Sequence, residues 1–294
     1  MDQLQIAVGA EEKYKKIRKT LASVFKETAD NPEMRRAFAA QLAVPILMTI
    51  NPQSSVRHIF MTDEVPPGAL ARYPKDFADI PAVVMPQLGA VPENRVSGDE
   101  LLIDTWKIAT STQYGIPYAR DARFSVAEEA MRKIANAIIR QEEQSGWAVI
   151  QAAVLSGNTI TDSSGVISVN NLTDMYVTME QQGYVSTDIY MSPRRFADIR
   201  TWTYTQIDPF TQRQAFEQGG LGTLWGANIH VLRHLSDTEV YLFDINRFGI
   251  MPIREELQTY DDPVSVRELN IGIIAWEEVG FAAVDPRAVV MLSL

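Results

Sequence analysis

The sequence predicts an α+β fold organised around one long helix, on three observations. The run from Ser125 to Leu155 contains no proline and carries apolar residues at helical spacing. The end of the chain, Phe248 to Leu294, reads as nearly continuous strand. Between Val56 and Thr112 lie Pro66, Pro67, Pro74, Pro81, Pro86 and Pro92, which stiffen an extended excursion and oppose regular core structure.

Ser125 can cap the start of the long helix, with Glu128 three residues on completing a capping box, and Gly157 supplies a left-handed residue past its end. A rise of ~1.5 Å per residue makes the rod roughly 46 Å long, about three times the mean helix. Ala127, Met131, Ile134 and Ile138 form an apolar stripe that fades at Gln141, Glu142, Glu143 and Gln144 and resumes at Trp147, Ile150 and Val154. That polar middle implies a rod crossing a surface between two packed zones, with Gly146 marking a bend. Taken alone, the helix fits a surface rod of an α+β enzyme equally well.

Composition then bounds the function. With 294 residues, 46% hydrophobic and 22% charged, the chain is globular and long enough for one or two cores. The absence of cysteine excludes disulfides, thiolate catalysis and cysteine-ligated metal. No early apolar run suits a signal peptide, and Ala43 to Ile50 is short and interrupted by Pro45, so no membrane partner is expected. A net charge of -10 opposes a broad nucleic-acid grip, yet Glu11 to Glu27 is locally basic at +3.

That basic segment places Tyr14, Ile17, Leu21, Val24 and Phe25 at helical spacing, with lysines on the other side. A solvated face is the simple reading, and contact with a partner or nucleic acid the sharper one. A second helix starts at Asn31 and Pro32 and is expected to end before Pro45. Val56 to Thr62 and Leu101 to Ala109 read as strands, and the excursion between them as a lid or as an arm onto a neighbouring subunit. Asn171 to Gln182 reads as a helix, Asp188 to Met191 as a buried strand, and Pro193 to Trp202 as a helix opened by proline. Gly226 to His234 and Glu239 to Asp244 read as strands joined by a turn at Ser236 and Asp237. Further turns are expected at Asp261-Asp262-Pro263 and Asp285-Pro286.

No constellation converges on chemistry. On a strand, His230 and His234 lie about 13 Å apart, too far for one metal ion with ~2 Å bonds. His58 stands alone among apolar neighbours and reads as structural. The pairs Glu255-Glu256, Asp261-Asp262 and Glu277-Glu278 read as solvated charge, since consecutive strand residues face opposite sides. The Gly220 to Gly226 run misses the dinucleotide spacing and lacks a Walker lysine, and no Gly-x-Ser-x-Gly elbow occurs. No catalytic residue, cofactor site or metal site is expected.

Three stretches in order, Gly222 to His234 with its Gly-x-x-x-Gly step, Glu239 to Glu255, and Gly280 to Leu294, complete a pattern of arm, stiff loop, rod, compact lobe and strand-rich return. The pattern resembles a tailed-bacteriophage major capsid protein of the HK97 fold. The resemblance implies residues 1–55 as N-terminal arm, 56–114 as an extended two-stranded loop, and 115–160 as peripheral domain with the spine helix. It implies 161–249 as apical domain and 250–294 as strands returning to the peripheral domain. The implied function is a shell of hexamers and pentamers, an icosahedral head around double-stranded DNA, built in the host cytoplasm and residing in the virion.

The resemblance implies self-assembly, a separate scaffold protein because the arm is short, a portal, and weak contact with packaged DNA, and it leaves the presence of a cement protein open. Pro66, Pro67, Lys75 and Trp106 are the expected inter-subunit contacts, and Lys13, Lys15, Lys16, Arg18 and Lys19 the expected scaffold or genome contacts. Lys75, Lys107, Asn246 and Asn270 form no motif that pairs them, so no lysine-asparagine crosslink is assigned. An encapsulin-type compartment and a soluble enzyme with a lid are the alternatives.

Overall fold

A computed structural model describes residues 36, 39–75, 100–115, 126–202, 222–262 and 270–294. The basic segment with Lys13, Lys15, Lys16, Arg18 and Lys19 lies outside them, as do Ser125 and the start of the second expected helix.

The first described elements are α1 (Ala43–Ile50) and a single helical turn α2 (Val56–Ile59). The helical residues 39–41 stop at a turn at Leu42, ahead of Pro45, and Pro45 sits in the first turn of α1, where its missing N–H would have no intrahelical partner anyway. One expectation fails here. Val56 to Ile59 is helical because Glu143 supplies a carboxylate to its exposed amides, and the strand begins only at β1 (Met61–Glu64). After the turn at Pro66 to Gly68, β2 (Ala71–Pro74) pairs antiparallel with β3 (Glu100–Ile103) as a two-stranded ribbon. The strand β4 (Trp106–Gly115) then leads toward α3 (Val126–Ala153), the predicted rod.

Gly157 does not close α3. It lies in a 3₁₀ turn, Ser156–Asn158, ahead of β5 (Thr159–Thr161). Next come α4 (Val169–Gln181), capped by Ser168, then β6 (Asp188–Met191) and α5 (Pro193–Arg200), capped by Ser192. The strands β7 (Thr223–Leu224) and β8 (Ala227–Val231) close on Trp225 and Gly226, both with positive φ, the geometry a two-residue hairpin turn demands. The chain ends through β9 (Glu239–Phe243), β10 (Gly249–Asp262), β11 (Asn270–Val279), β12 (Ala282–Ala283) and β13 (Val289–Ser293).

These strands form two larger sheets. One runs β1-β10-β11-β4, with β12 on β10; the other runs β5-β13-β9-β6-β8-β7. Although β8 and β9 adjoin in sequence, β6 inserts between them, parallel to β8 and antiparallel to β9. The last strand, β13, joins the second sheet between β5 and β9. One core spans both sheets and α3: Ile134, Ile138 and Ile150 of the rod are fully buried with Tyr190, Tyr241 and Phe243 of the second sheet and Phe60 and Phe248 between them.

Candidate functional site

The polar middle of α3 is where the two sheets and the N-terminal segment meet. Its two glutamates are buried, contrary to the expectation of a rod crossing a surface: Glu142 is 0% exposed and Glu143 7%, while Gln141 and Gln144 are exposed. Burial of two carboxylates is tolerable only with partners. Glu143 Oε1 accepts from the Ser55 amide at 2.5 Å and the Val56 amide at 3.3 Å. Its Oε2 accepts from Ser55 Oγ at 2.5 Å and from Trp147 Nε1 at 3.0 Å, and meets His234 Nε2 at 3.0 Å. One side chain of α3 thus serves as the N-terminal cap of α2. Burial pushes the Glu143 carboxyl up, but bonds from His234 and Ser55 outweigh it and hold it below the usual range.

Glu142 turns to Arg57, which donates Nε at 2.9 Å and Nη2 at 2.6 Å. The same Nη2 donates to Glu277 of β11 at 2.9 Å. One guanidinium therefore faces two carboxylates. Burial and the neighbouring Glu142 charge raise Glu277 to about 8 against the opposing pull of Arg57, so it keeps its proton at neutral pH. Glu277 is not solvated charge, and neither is Glu278, which accepts from Thr105 Oγ1 at 2.7 Å and Arg254 Nη1 at 2.9 Å. Asp262 is buried as well, although the expected divergence of Glu277 and Glu278 onto opposite faces holds.

His58 does not stand alone. Its Nε2 lies 3.4 Å from Asp188 Oδ1 of β6, and His230 Nε2 of β8 lies 2.7 Å from the same oxygen. Burial pushes Asp188 up, but bonds from His230 and Asn228 hold it down at about 2. His234 goes elsewhere, to Glu143 and the edge of Trp147, so His230 and His234 share no partner.

The expected inter-subunit residues lie apart from this junction. Pro66, Pro67 and Lys75 are exposed around the ribbon. Trp106 is 38% exposed and leans on Phe281 with ring centroids 5.8 Å apart. The ribbon's own core is only Val65, Ala71 and Ile103, while Met61, Leu70 and Leu102 are more than half exposed. Sequence reading missed Arg57, Glu142, Glu143, Glu277 and Asp188; the local hint was Glu143 one helical turn before Trp147. A groove between β4 and α3, lined by Trp106, Lys107, Thr110, Ile138 and Gln141, offers no paired acid and base.

Comparison with known proteins completes the description. A family model described as phage capsid protein matches residues 104–292. No curated protein sequence matches the chain. Among solved structures, the capsid of cyanophage P-SCSP1u is similar at a TM-score of 0.65 and 13% identity, covering 80% of this chain and 86% of that one. The capsid of a native GTA particle gives 0.65 and 15%, with coverage of 82% and 89%. A virus-like particle from Pyrococcus furiosus gives 0.60 and 14%, with coverage of 86% and 98%.

Proposed function

The chain belongs to the phage capsid protein family, and from that premise we propose that its copies form the hexamers and pentamers of an icosahedral head around double-stranded DNA. It is a structural protein of the virion shell and not an enzyme, and its copies associate with one another there. The fold is shared with a virus-like particle, so fold alone does not separate shell types; the family match favours the phage head over an encapsulin-type compartment.

The observation that carries the reading is the ribbon β2–β3. Two-stranded sheets are marginal in water, and this one fully buries only Val65, Ala71 and Ile103, with Ala69, Tyr73 and Leu101 and with Ile250 and Ala282 of the first sheet partly buried against them. Exposed Leu70 and Leu102 leave apolar surface that a second copy of the chain would cover. Pro66, Pro67, Lys75 and Trp106 would take part in that contact. Residues 1–55 serve as arm, 56–114 as extended loop, 115–160 with 250–294 as peripheral domain, and 161–249 as apical domain. The placement of β13 in the second sheet makes the last strand a tie between the two lobes.

Lys13, Lys15, Lys16, Arg18 and Lys19 supply local attraction to a separate scaffold or to DNA, while the acidic remainder leaves packaged DNA mobile. A portal completes the head, assembled in the host cytoplasm. The test is the double variant Leu70→Asp with Leu102→Asp, which should retain the far-ultraviolet circular dichroism of the parent yet lose at least ~90% of particle yield. Parental yield would overturn the ribbon contact. Neutralising the five basic residues should reduce scaffold incorporation or packaging; unchanged assembly and packaging would overturn the role of the arm.

A further inference from the structure

We propose that His58, Asp188 and His230 form a binding site for one divalent transition-metal ion of the zinc type. The three side chains come from three separate segments, the α2 turn, β6 and β8, and each offers one ligand atom, all within 4.8 Å of one another. Tetrahedral zinc with bonds of ~2.0–2.2 Å places its ligand atoms about 3.4 Å apart. The two histidine nitrogens already lie 3.4 and 2.7 Å from Asp188 Oδ1, so the set closes on an ion through small side-chain rotations.

Three further features fit a ligand set better than a plain ion pair. Asp188 is 1% exposed, and its Oδ2 has no hydrogen-bond partner, which leaves a buried carboxylate oxygen uncompensated. His230 is held by stacking on Tyr190, with ring centroids 4.6 Å apart and planes 14° from parallel. His58 is half exposed, which gives an ion at this position access to solvent and to a water ligand. Two imidazoles and one carboxylate favour zinc, cobalt or nickel over magnesium or calcium, which take all-oxygen sets. A bound ion would fasten the N-terminal segment to the second sheet beside the buried junction. The assignment does not depend on the shell reading.

The experiment titrates the full-length chain, purified without a histidine tag, with Zn²⁺ against a chromophoric chelator, and with Co²⁺ for its visible spectrum. One equivalent per chain is expected, with the intense visible bands of tetrahedral cobalt. His58→Ala and His230→Ala should each weaken binding at least about tenfold. His234→Ala should bind as the parent does, and Zn²⁺ should raise the melting temperature of the parent and of His234→Ala but not of His58→Ala. Asp188→Asn is a further variant, but exposed His58 keeps the test decisive where a buried substitution fails to fold. Absence of stoichiometric binding, or equal affinity in the parent and His58→Ala, would overturn the site.

Discussion

Val56 occupies the space that any side chain at position 146 would need: a Cβ on Gly146 would lie 2.7 Å from Val56 Cγ2 and 3.1 Å from Val56 Cβ. The glycine is a notch, through which the α2 turn crosses the rod closely enough for Glu143 to cap it. Helix propensity would favour alanine here by about 1 kcal/mol, whereas forcing a methyl into a packed crossing costs about 1–3 kcal/mol. Gly146→Ala should therefore destabilise, lowering the thermal midpoint of the purified subunit by a few degrees. A rise in midpoint would show that the crossing is looser than described.

Among the described residues, Arg57 is the one cation paired with both buried Glu142 and Glu277. Removing one partner of a buried pair leaves uncompensated charge at a cost of about 3–5 kcal/mol. Arg57→Met should be among the most damaging single changes in this region, measured by denaturant unfolding. Adding Glu142→Gln to it should recover a substantial part of the loss, because the orphaned charge is gone.

The raised pKa of Glu277 has a stability consequence. Its folded value, about 8, exceeds the ordinary 4.5, so the folded chain holds a proton that the unfolded chain releases between these limits. The contribution is complete below pH 4.5 and is lost as pH rises through about 8, with a slope of at most about 1.4 kcal/mol per pH unit. Glu277→Gln keeps the neutral form at every pH. The variant should match the parent near pH 5, exceed it in melting temperature at pH 8, and show a flatter profile between.

At acid pH the order reverses for Asp188 and Glu143, whose carboxyls are held below their ordinary values. Their contribution is present above the ordinary carboxylate range and disappears as pH falls through their folded values. Asp188→Asn should flatten the loss of melting temperature below pH 4 while lowering stability at pH 7, by about 1–3 kcal/mol, through its weakened hold on His230.

What the sequence made legible was local. The rod, the strand-rich return and the proline-opened start of α5 follow from period and helix-start chemistry, which act within a few residues. The overall family could be read because the order of such pieces is itself specific. The junction could not: Arg57 meets Glu142 and Glu277 across 85 and 220 positions, and no local pattern marks such partners. Without them, Glu142 and Glu143 look as solvated as the exposed Gln141 and Gln144 beside them, and Val56 to Ile59 looks like a strand because the carboxylate that stabilises its helical turn comes from Glu143. The insertion of β6 between β8 and β9 was hidden for the same reason, since adjacency in sequence favours direct pairing.

The central claim is that this chain is a shell subunit whose exposed ribbon is completed by other copies. Electron microscopy combined with light scattering on the purified full-length chain, alone and with its scaffold, tests it most directly. Closed polyhedral particles, or discrete hexameric and pentameric capsomers, are the predicted result. A monodisperse monomer at high concentration under every assembly condition would contradict it.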